Sequence, residues 1–380
     1  MAPVTTHAHQ STPPTPVLHV AFELADQRWK LAFTPGLGQR PRGRTVAARD
    51  LDAVRQEVAR ALTRFRLPPD TRVVSCYEAG REGFWLHRAL TTLGVANSVV
   101  DSASIEVNRR ARRAKADRLD AEKLVLMLVR ATQGDSRVWR VVRVPSEADE
   151  AARQLSRELD AVTHDCTQVR NRIHGLLATE GVTLALAGDV PAALAAVRRW
   201  DGTPLPAELV ARLVRDWRQV EALSARRAAL AAQRRRDLAT GTSPAHVQMR
   251  QLARLRAVGV VSATVLVREF FGWRGFRNRR QVGGCAGLTA TPFQTGGSHR
   301  EQGISKAGNR RVRTLMIELA WSWLRYQPHS DLSAWYRAYV GGGGGRQRRV
   351  GIVALARKLL IALWRYLETG AVPAGARLKA

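Results

Sequence analysis

Four acidic residues stand where a strongly basic chain has least use for them, unless a cation joins them to its ligand. Glu23 lies inside an apolar run, HVAFELA, that reads as a strand, and Glu78 closes a second such run, VVSCYE. Asp117 and Asp120 fall in KADRLDAEKL; three residues apart on a helix, their carboxylates share one face. Near a phosphate grip a carboxylate repels the ligand unless a divalent cation lies between them. Acids drawn from two strands and a helix suit a pair of Mg²⁺ ions, whose oxygen-ligand chemistry clamps the attacking and leaving oxygens of a phosphodiester. The same residues have plainer uses. A strand glutamate can pair with an arginine, and D-x-x-D at a helix start complements the helix dipole. Asp26 and Asp101, also near strand ends, are equally eligible as ligands.

A second constellation lies toward the C-terminus, in CAGLTATPFQTGGSHREQGISKAGNRRVR. It is polar, punctuated by glycine, and rich in hydroxyls and cations, as loops that hold functional groups are. Thr295, Ser298 and Ser305 are candidate nucleophiles, and Arg300, Lys306, Arg310, Arg311 and Arg313 are candidate phosphate contacts. The competing reading is turn and cap chemistry, with Ser305 as an N-cap. Just upstream, LRAVGVVSATVLVREF resembles half of a helix-hairpin-helix, a motif that offers backbone N–H groups to phosphate. Val261 replaces the second glycine, so a plain helix pair reads equally well. Arg109, Arg110, Arg112, Arg113 and Lys115 form a further phosphate-facing cluster. His174 and His299 have no second ligand at zinc spacing, and the tryptophans are spaced as packing residues.

The elements that must position these groups follow from pattern and charge. In 380 residues, 61 Lys and Arg against 32 Asp and Glu leave a net charge of +29, which argues for a polyanionic partner. Because the positives are mostly arginine, which binds phosphate bidentately, nucleic acid comes before a membrane surface. Hydrophobic residues make up 45% of the chain, enough to bury real cores and to exclude global disorder. Residues 1–15 read as a disordered tail. Residues 16–145 read as an α/β domain with a mixed sheet: a strand pair around Ala25-Asp26-Gln27, a helix from about Ala47 to Phe65, and strands at Val73 to Tyr77 and Val95 to Val100. Residues 146–245 carry heptad-like spacing (Leu155, Leu159, Val162, Val169, Ile173, Leu176) and read as paired helices or a coiled coil. Their apolar stripes exceed what one small domain covers, which points to self-association. Residues 246–380 read as a mostly helical domain in which Gly341 to Gly345 is a flexible linker before a closing helix from Val350 to Leu367. No stretch approaches the roughly 18–20 apolar residues of a membrane span, and no signal pattern opens the chain, so a cytoplasmic, nucleoid-associated protein with no membrane partner is expected.

The combination of VAFELA, YEAG, KADRLDA, the helical middle, GLTATPFQTGG and GISKAGNRRVR resembles the DEDD transposases of the bridge-RNA-guided insertion-sequence class, relatives of the Piv-type DNA invertases. The resemblance spans nearly the whole chain after the tail. It implies a RuvC-like, RNase H type N-terminal domain whose acids, here Glu23, Glu78, Asp117 and Asp120, bind Mg²⁺. It also implies a C-terminal transposase domain that brings a hydroxyl nucleophile, a covalent protein–DNA link, and a structured noncoding bridge RNA that pairs with donor and target DNA. Such enzymes assemble as dimers that pair into tetramers. Two positions depart from the pattern: Glu23 stands where the family has Asp, and Thr295-Gly296 stands where it has Ser-Gly, with Ser298 as the backup hydroxyl. A threonine supplies the same oxygen, but its methyl restrains the rotamer. Two other classes stay open: a nucleic-acid-binding relic without chemistry, and a metal-only RuvC-like junction nuclease. Whichever holds, RNA binding should weaken steeply with salt, because clusters such as Arg109 to Arg113 and Arg310 to Arg313 release counterions. Titrations at several salt concentrations should give a strongly negative slope of log affinity against log salt; a slope near zero contradicts the reading.

Overall fold

The computed structural model describes residues 15–105, 117–295 and 298–379. The tail up to residue 14 and the cluster Arg109, Arg110, Arg112, Arg113 and Lys115 lie outside the described residues. The chain divides into two compact units, 1–144 and 145–380.

The first unit is built on a mixed five-stranded sheet. Strands β1 (Val17–Leu24), β2 (Arg28–Thr34) and β3 (Arg42–Ala47) form an antiparallel meander, and β4 (Arg72–Glu78) and β5 (Ala96–Val100) extend it in parallel beyond β1. The order is β3-β2-β1-β4-β5. Helix α1 (Leu51–Arg64), capped by the Asp50 carboxylate on the Ala53 N–H, leads into β4; α2 (Trp85–Thr92) leads into β5. Both pack on one face with Leu18, Val20, Phe22, Trp29, Leu31 and Tyr77. Helix α3 (Asp117–Thr132) covers the other face, against Ala21, Ala32, Val74, Cys76 and Val100. β1 is therefore buried on both sides, which is why its sequence is continuously apolar rather than alternating. The helix expected from Ala47 starts at Leu51 instead, because residues 42–47 (RGRTVA) form an edge strand. An edge tolerates arginines that an interior strand would exclude, so the segment carries no apolar strand signature.

The second unit is helical apart from one hairpin. After α4 (Glu147–Ala151), helices α5 (Gln154–Thr179) and α7 (Ala207–Thr240) pack along each other, with α6 (Val190–Ala196) in the connection between them. The ion pairs Arg172–Asp216 and Arg226–Glu158 fix an antiparallel register. Val169, Ile173 and Leu177 meet Leu213, Trp217 and Val220. The apolar stripes that suggested self-association are thus covered within one chain.

Helices α8 (Pro244–Ala253) and α9 (Val260–Leu266), a π-helical turn (Val267–Phe271), α10 (Arg279–Cys285), hairpin strands β6 (Ala290–Thr295) and β7 (Ser298–Ile304), and α11 (Arg310–Tyr326), α12 (Asp331–Val340) and α13 (Gly345–Thr369) complete the unit. Its core packs Met316, Leu319 and Trp323 of α11 against Leu355, Leu359 and Leu363 of α13. The segment resembling a helix-hairpin-helix is a plain helix pair: Gly259 caps α9 at φ −87°, and Val258, Ala263 and Leu266 are core residues. The glycine run is not a flexible linker. Gly341 to Gly344 make a hydrogen-bonded turn between α12 and α13, and a Cβ on Gly343 would meet the Gln347 side chain and the Val340 carbonyl.

One buried acid ties this unit together. Glu269, in the π-helical turn, is 2% exposed. It accepts two hydrogen bonds from Arg157 of α5, at 2.8 and 3.0 Å, and lies 3.6 Å from Arg311 of α11. Burial pushes its carboxyl up, but the Arg157 hydrogen bonds and the charges of Arg157, Arg311 and Arg153 outweigh that and hold it below its ordinary value. A carboxyl depressed in the fold contributes stability above its unfolded value, near 4.3, and loses it as pH falls through the folded value. Glu269→Gln should therefore cost about 3 kcal/mol at pH 7, since it leaves arginines facing a neutral amide. Denaturant unfolding at pH 7 and near pH 3.5 checks this: the gap between wild type and variant should shrink in acid, and an unchanged gap contradicts the assignment.

Candidate active site

Alternation along the strands places two of the candidate acids on one face. In β1, Leu18, Val20 and Phe22 point to the α1/α2 side, so Ala21 and Glu23 point to the α3 side. In β4, Val74 and Cys76 point to the α3 side, and Glu78 shares their parity. The β1–β4 register pairs Phe22 with Tyr77, so Glu23 and Glu78 each stand one step further on, at the carboxyl ends of neighbouring parallel strands. Burial, and secondly the Glu78 charge, push the Cys76 thiol up, which fits a carboxylate on the same face. Carboxyl ends of parallel strands are where open α/β sheets bind ligands.

Helix α3 brings the other two acids to the same end. His19 Nε2 lies 3.0 Å from Thr132 Oγ1, so the last turn of α3 covers the early part of β1. Its first turn then lies toward the end that carries Glu23, since Thr132 back to Asp120 spans about 18 Å of helix and His19 to Glu23 about 13 Å of strand. Ala121, Leu124, Val125 and Leu128 are buried against the sheet, and Asp120 continues that stripe four residues before Leu124. Asp120 is half-buried. The all-oxygen donor set is of the kind Mg²⁺ takes, but among the described residues no three acids, histidines or cysteines are gathered closely enough to hold an ion. Lys30 stands opposite Glu23 across the β1–β2 pair, on the same face. The two alternative acids have structural employment: Asp26 pairs with Arg81 and Arg49 at the surface, and Asp101 caps a 3-10 turn through the Ala103 N–H.

The hydroxyl-rich segment is a hairpin rather than a loop. Thr295 ends β6, Ser298 begins β7, and the two are paired across the turn; Arg300 pairs with Phe293. The feet of the hairpin are clamped. The Ser305 N–H binds the Thr289 carbonyl, the Lys306 N–H the Gly287 carbonyl, and the Asn309 N–H the Cys285 carbonyl, at 2.8, 3.2 and 2.9 Å. Asn309, not Ser305, caps α11, accepting from the Val312 N–H, and its amide donates to the Glu269 carbonyl oxygen. Arg313 donates to the Lys306 carbonyl at 2.8 Å, and Arg311 binds Asp160 and the Ser156 carbonyl. These two arginines hold the fold, whereas Lys306 and Arg310 are exposed. Sequence reading passed over another set of cations, Arg346, Arg349, Arg357 and Arg365, which recur at helical spacing along α13 and line a groove. The spacing was the available signal.

Two glycines make the clamp possible. Gly308 has φ +113°, and a Cβ there would lie 2.2 Å from the Cys285 carbonyl oxygen; Gly287, at φ +68°, is pressed equally against Ala307. Gly308→Ala should lower the melting temperature, by several degrees for a cost of about 2 kcal/mol, and should displace Asn309 from its cap. Thermal unfolding checks the first effect, and amide exchange at Val312 the second; unchanged protection at Val312 contradicts the clamp.

Comparison with known proteins bears on what this arrangement does. Residues 249–334, which carry the clamp and the hairpin, match the model of the transposase IS116/IS110/IS902 family. A protein of Sinorhizobium fredii that carries the name transposase y4rJ is 39% identical over 379 residues, covering 95% of this chain and 94% of its own. A family 20 transposase of Pseudomonas aeruginosa is 29% identical over 83% of this chain and 89% of its own. The transposase for insertion sequence element IS1328 of Yersinia enterocolitica is 24% identical over 68% and 73%. Among the described residues no helix is long and apolar enough to cross a membrane. Identity of this level, running through both units, means that the chain belongs to the IS110/IS116 family of transposases.

Proposed function

We propose that the chain is an RNA-guided DNA recombinase in which a carboxylate cluster and a threonine hydroxyl cut and rejoin DNA strands. The observation that carries this reading is that Glu23 and Glu78 stand side by side at the carboxyl ends of the neighbouring parallel strands β1 and β4, on the face that α3 covers. That placement, on a mixed sheet, also supports the RuvC-like assignment of the first unit. Glu23, Glu78, Asp117 and Asp120 would hold Mg²⁺, which polarises a phosphodiester and stabilises a leaving 3′ oxygen. The Thr295 oxygen attacks phosphorus; a Thr–O–P bond forms, the bond to the 3′ oxygen breaks, and the hydroxyl proton is passed on as the 3′ hydroxyl is released. Rejoining reverses these steps with a different 3′ hydroxyl. The exposed cations Lys306 and Arg310, with the 109–115 cluster, bind phosphates, and a bridge RNA selects donor and target DNA by base pairing. A dimer that pairs into a tetramer follows from the family resemblance rather than from the α5 and α7 stripes.

A second reading, a catalytically impaired relic that still binds nucleic acid, is favoured by Lys30 opposite Glu23, because an ammonium there competes with a metal for the carboxylate. A cleavage assay with Mg²⁺, RNA and both DNAs separates the two. Asp120→Ala and Asp117→Ala should abolish cleavage with RNA binding nearly intact, and Thr295→Ala should abolish covalent capture of DNA. Thr295→Ser should keep or raise activity, since it removes only the methyl that limits the rotamer. Cleavage without an adduct would identify a metal-only nuclease, and neither product a relic. If Ser298→Ala is the lethal change, the nucleophile is Ser298.

A further inference from the structure

A groove of about 1450 Å³ runs along the outer face of α13 in the second unit. Val350, Val353, Arg357, Ile361 and Arg365, spaced by threes and fours, line it, while Leu355, Leu359 and Leu363 on the opposite side of the helix are core. The walls carry Arg280, Lys306, Arg346, Arg349, Arg357 and Arg365, and Asp331 is the single acid among the described lining residues. None of these six cations forms an ion pair with a described residue, whereas Arg157, Arg172, Arg226 and Arg311 in the same unit are each neutralised. Crowding unpaired cations along one helix opposes folding through self-repulsion, so the arrangement is explained by a ligand that supplies the missing charge. The floor, by contrast, is aliphatic: Leu288, Val350, Val353 and Ile361, with Val350 42% exposed. At one wall Tyr339, 41% exposed, stacks on Trp335 with ring centroids 5.3 Å apart, and the Lys358 ammonium sits 4.6 Å over the Trp335 ring.

We infer that this groove binds a single-stranded stretch of nucleic acid, phosphates to the arginine rim and unpaired bases to the aliphatic floor and to Tyr339 at its wall. A duplex turns its bases inward and would leave the apolar floor unmatched, whereas a single strand presents both its phosphates and its base faces. A second copy of the chain is the wrong occupant on charge, since each copy carries +29. From Arg346 to Arg365 the helix runs about 28 Å, the length of roughly eight stacked nucleotides. The assignment goes beyond the recombinase reading and does not rest on it, because a strand can be held here whether or not Thr295 reacts.

The test measures binding alone, on the full chain without Mg²⁺, so that failure of the chemistry cannot be mistaken for failure of the groove. Fluorescent twelve-residue oligo-dT, oligo-rU and a twelve-pair duplex are titrated at several salt concentrations. Arg349→Ala/Arg357→Ala/Arg365→Ala should weaken both single strands by about tenfold or more and flatten the salt slope by about 2, from three phosphate contacts at about 0.7 each. Tyr339→Ala, which removes no charge, should cost about fivefold or more on single strands and leave the duplex unchanged. It keeps the test decisive if the triple variant melts early. The charge-matched Arg212→Ala/Arg215→Ala/Arg218→Ala on the exposed side of α7 should cost less than threefold. A larger loss on oligo-rU than on oligo-dT supports the assignment with RNA as the occupant, and equal losses support it for single strands of either kind. Equal losses in the groove and α7 variants, or a duplex affinity that falls as far as the single-strand affinity, overturn it.

Discussion

The second unit is organised around a carboxylate that must not be left alone. Glu269 is buried in a π-helical turn, and an unpaired charge there would cost several kcal/mol. Its arginine partners come from helices far apart in sequence, Arg157 on α5 and Arg311 on α11, so the unit closes only when both arrive. The same residue's backbone oxygen accepts from the Asn309 side chain, which caps α11, and the Asn309 N–H binds the Cys285 carbonyl. One residue thus links the long helical hairpin, the α11/α13 core and the clamp from which the Thr295 hairpin projects. The π-helical geometry is consistent with this, since such single turns recur where a side chain must be aimed rather than where a helix merely continues.

In the first unit the constraint is the pleat. A strand buried on both faces can carry a charge only near its end, where the sheet meets solvent or a ligand. Glu23 and Glu78 occupy that position on β1 and β4, and strand parity turns both toward α3. The chemistry proposed for these acids is action on DNA phosphates, the kind of partner that the net charge of +29 favours.

What could be read from sequence tracks how local its cause is. β1 and β2 announce themselves because both are apolar, and α5 and α7 because their heptad spacing is the contact surface itself; that the two stripes cover each other was not legible, because periodicity gives a face and not its partner. β3 was missed because an edge strand rich in arginine carries no apolar signal, and the β6–β7 hairpin because its segment reads as glycine, hydroxyl and charge. The glycines 341 to 344 read as a loose linker when they form a hydrogen-bonded turn in which Gly343 is close-packed, since composition does not reveal what a missing Cβ makes room for. The same holds for Arg311 and Arg313: as sequence they are phosphate ligands, and only the positions of Asp160, Glu269 and the Lys306 carbonyl show them holding the fold. The acids were legible one by one, but that Glu23 and Glu78 stand side by side needed strand register, which depends on pairing across more than fifty residues.

The central claim is that a threonine oxygen of the hairpin becomes bonded to DNA phosphorus. The most direct measurement is to incubate the wild-type chain with Mg²⁺, RNA and a DNA substrate that traps the linked state, digest both polymers, and locate the nucleotide-bearing peptide by mass spectrometry. The account predicts a nucleotide phosphate on Thr295, within the peptide that begins after Arg280 and ends at Arg300. A nucleotide on Ser298 would reassign the nucleophile, and cleaved DNA with no modified residue anywhere in the chain would contradict the claim.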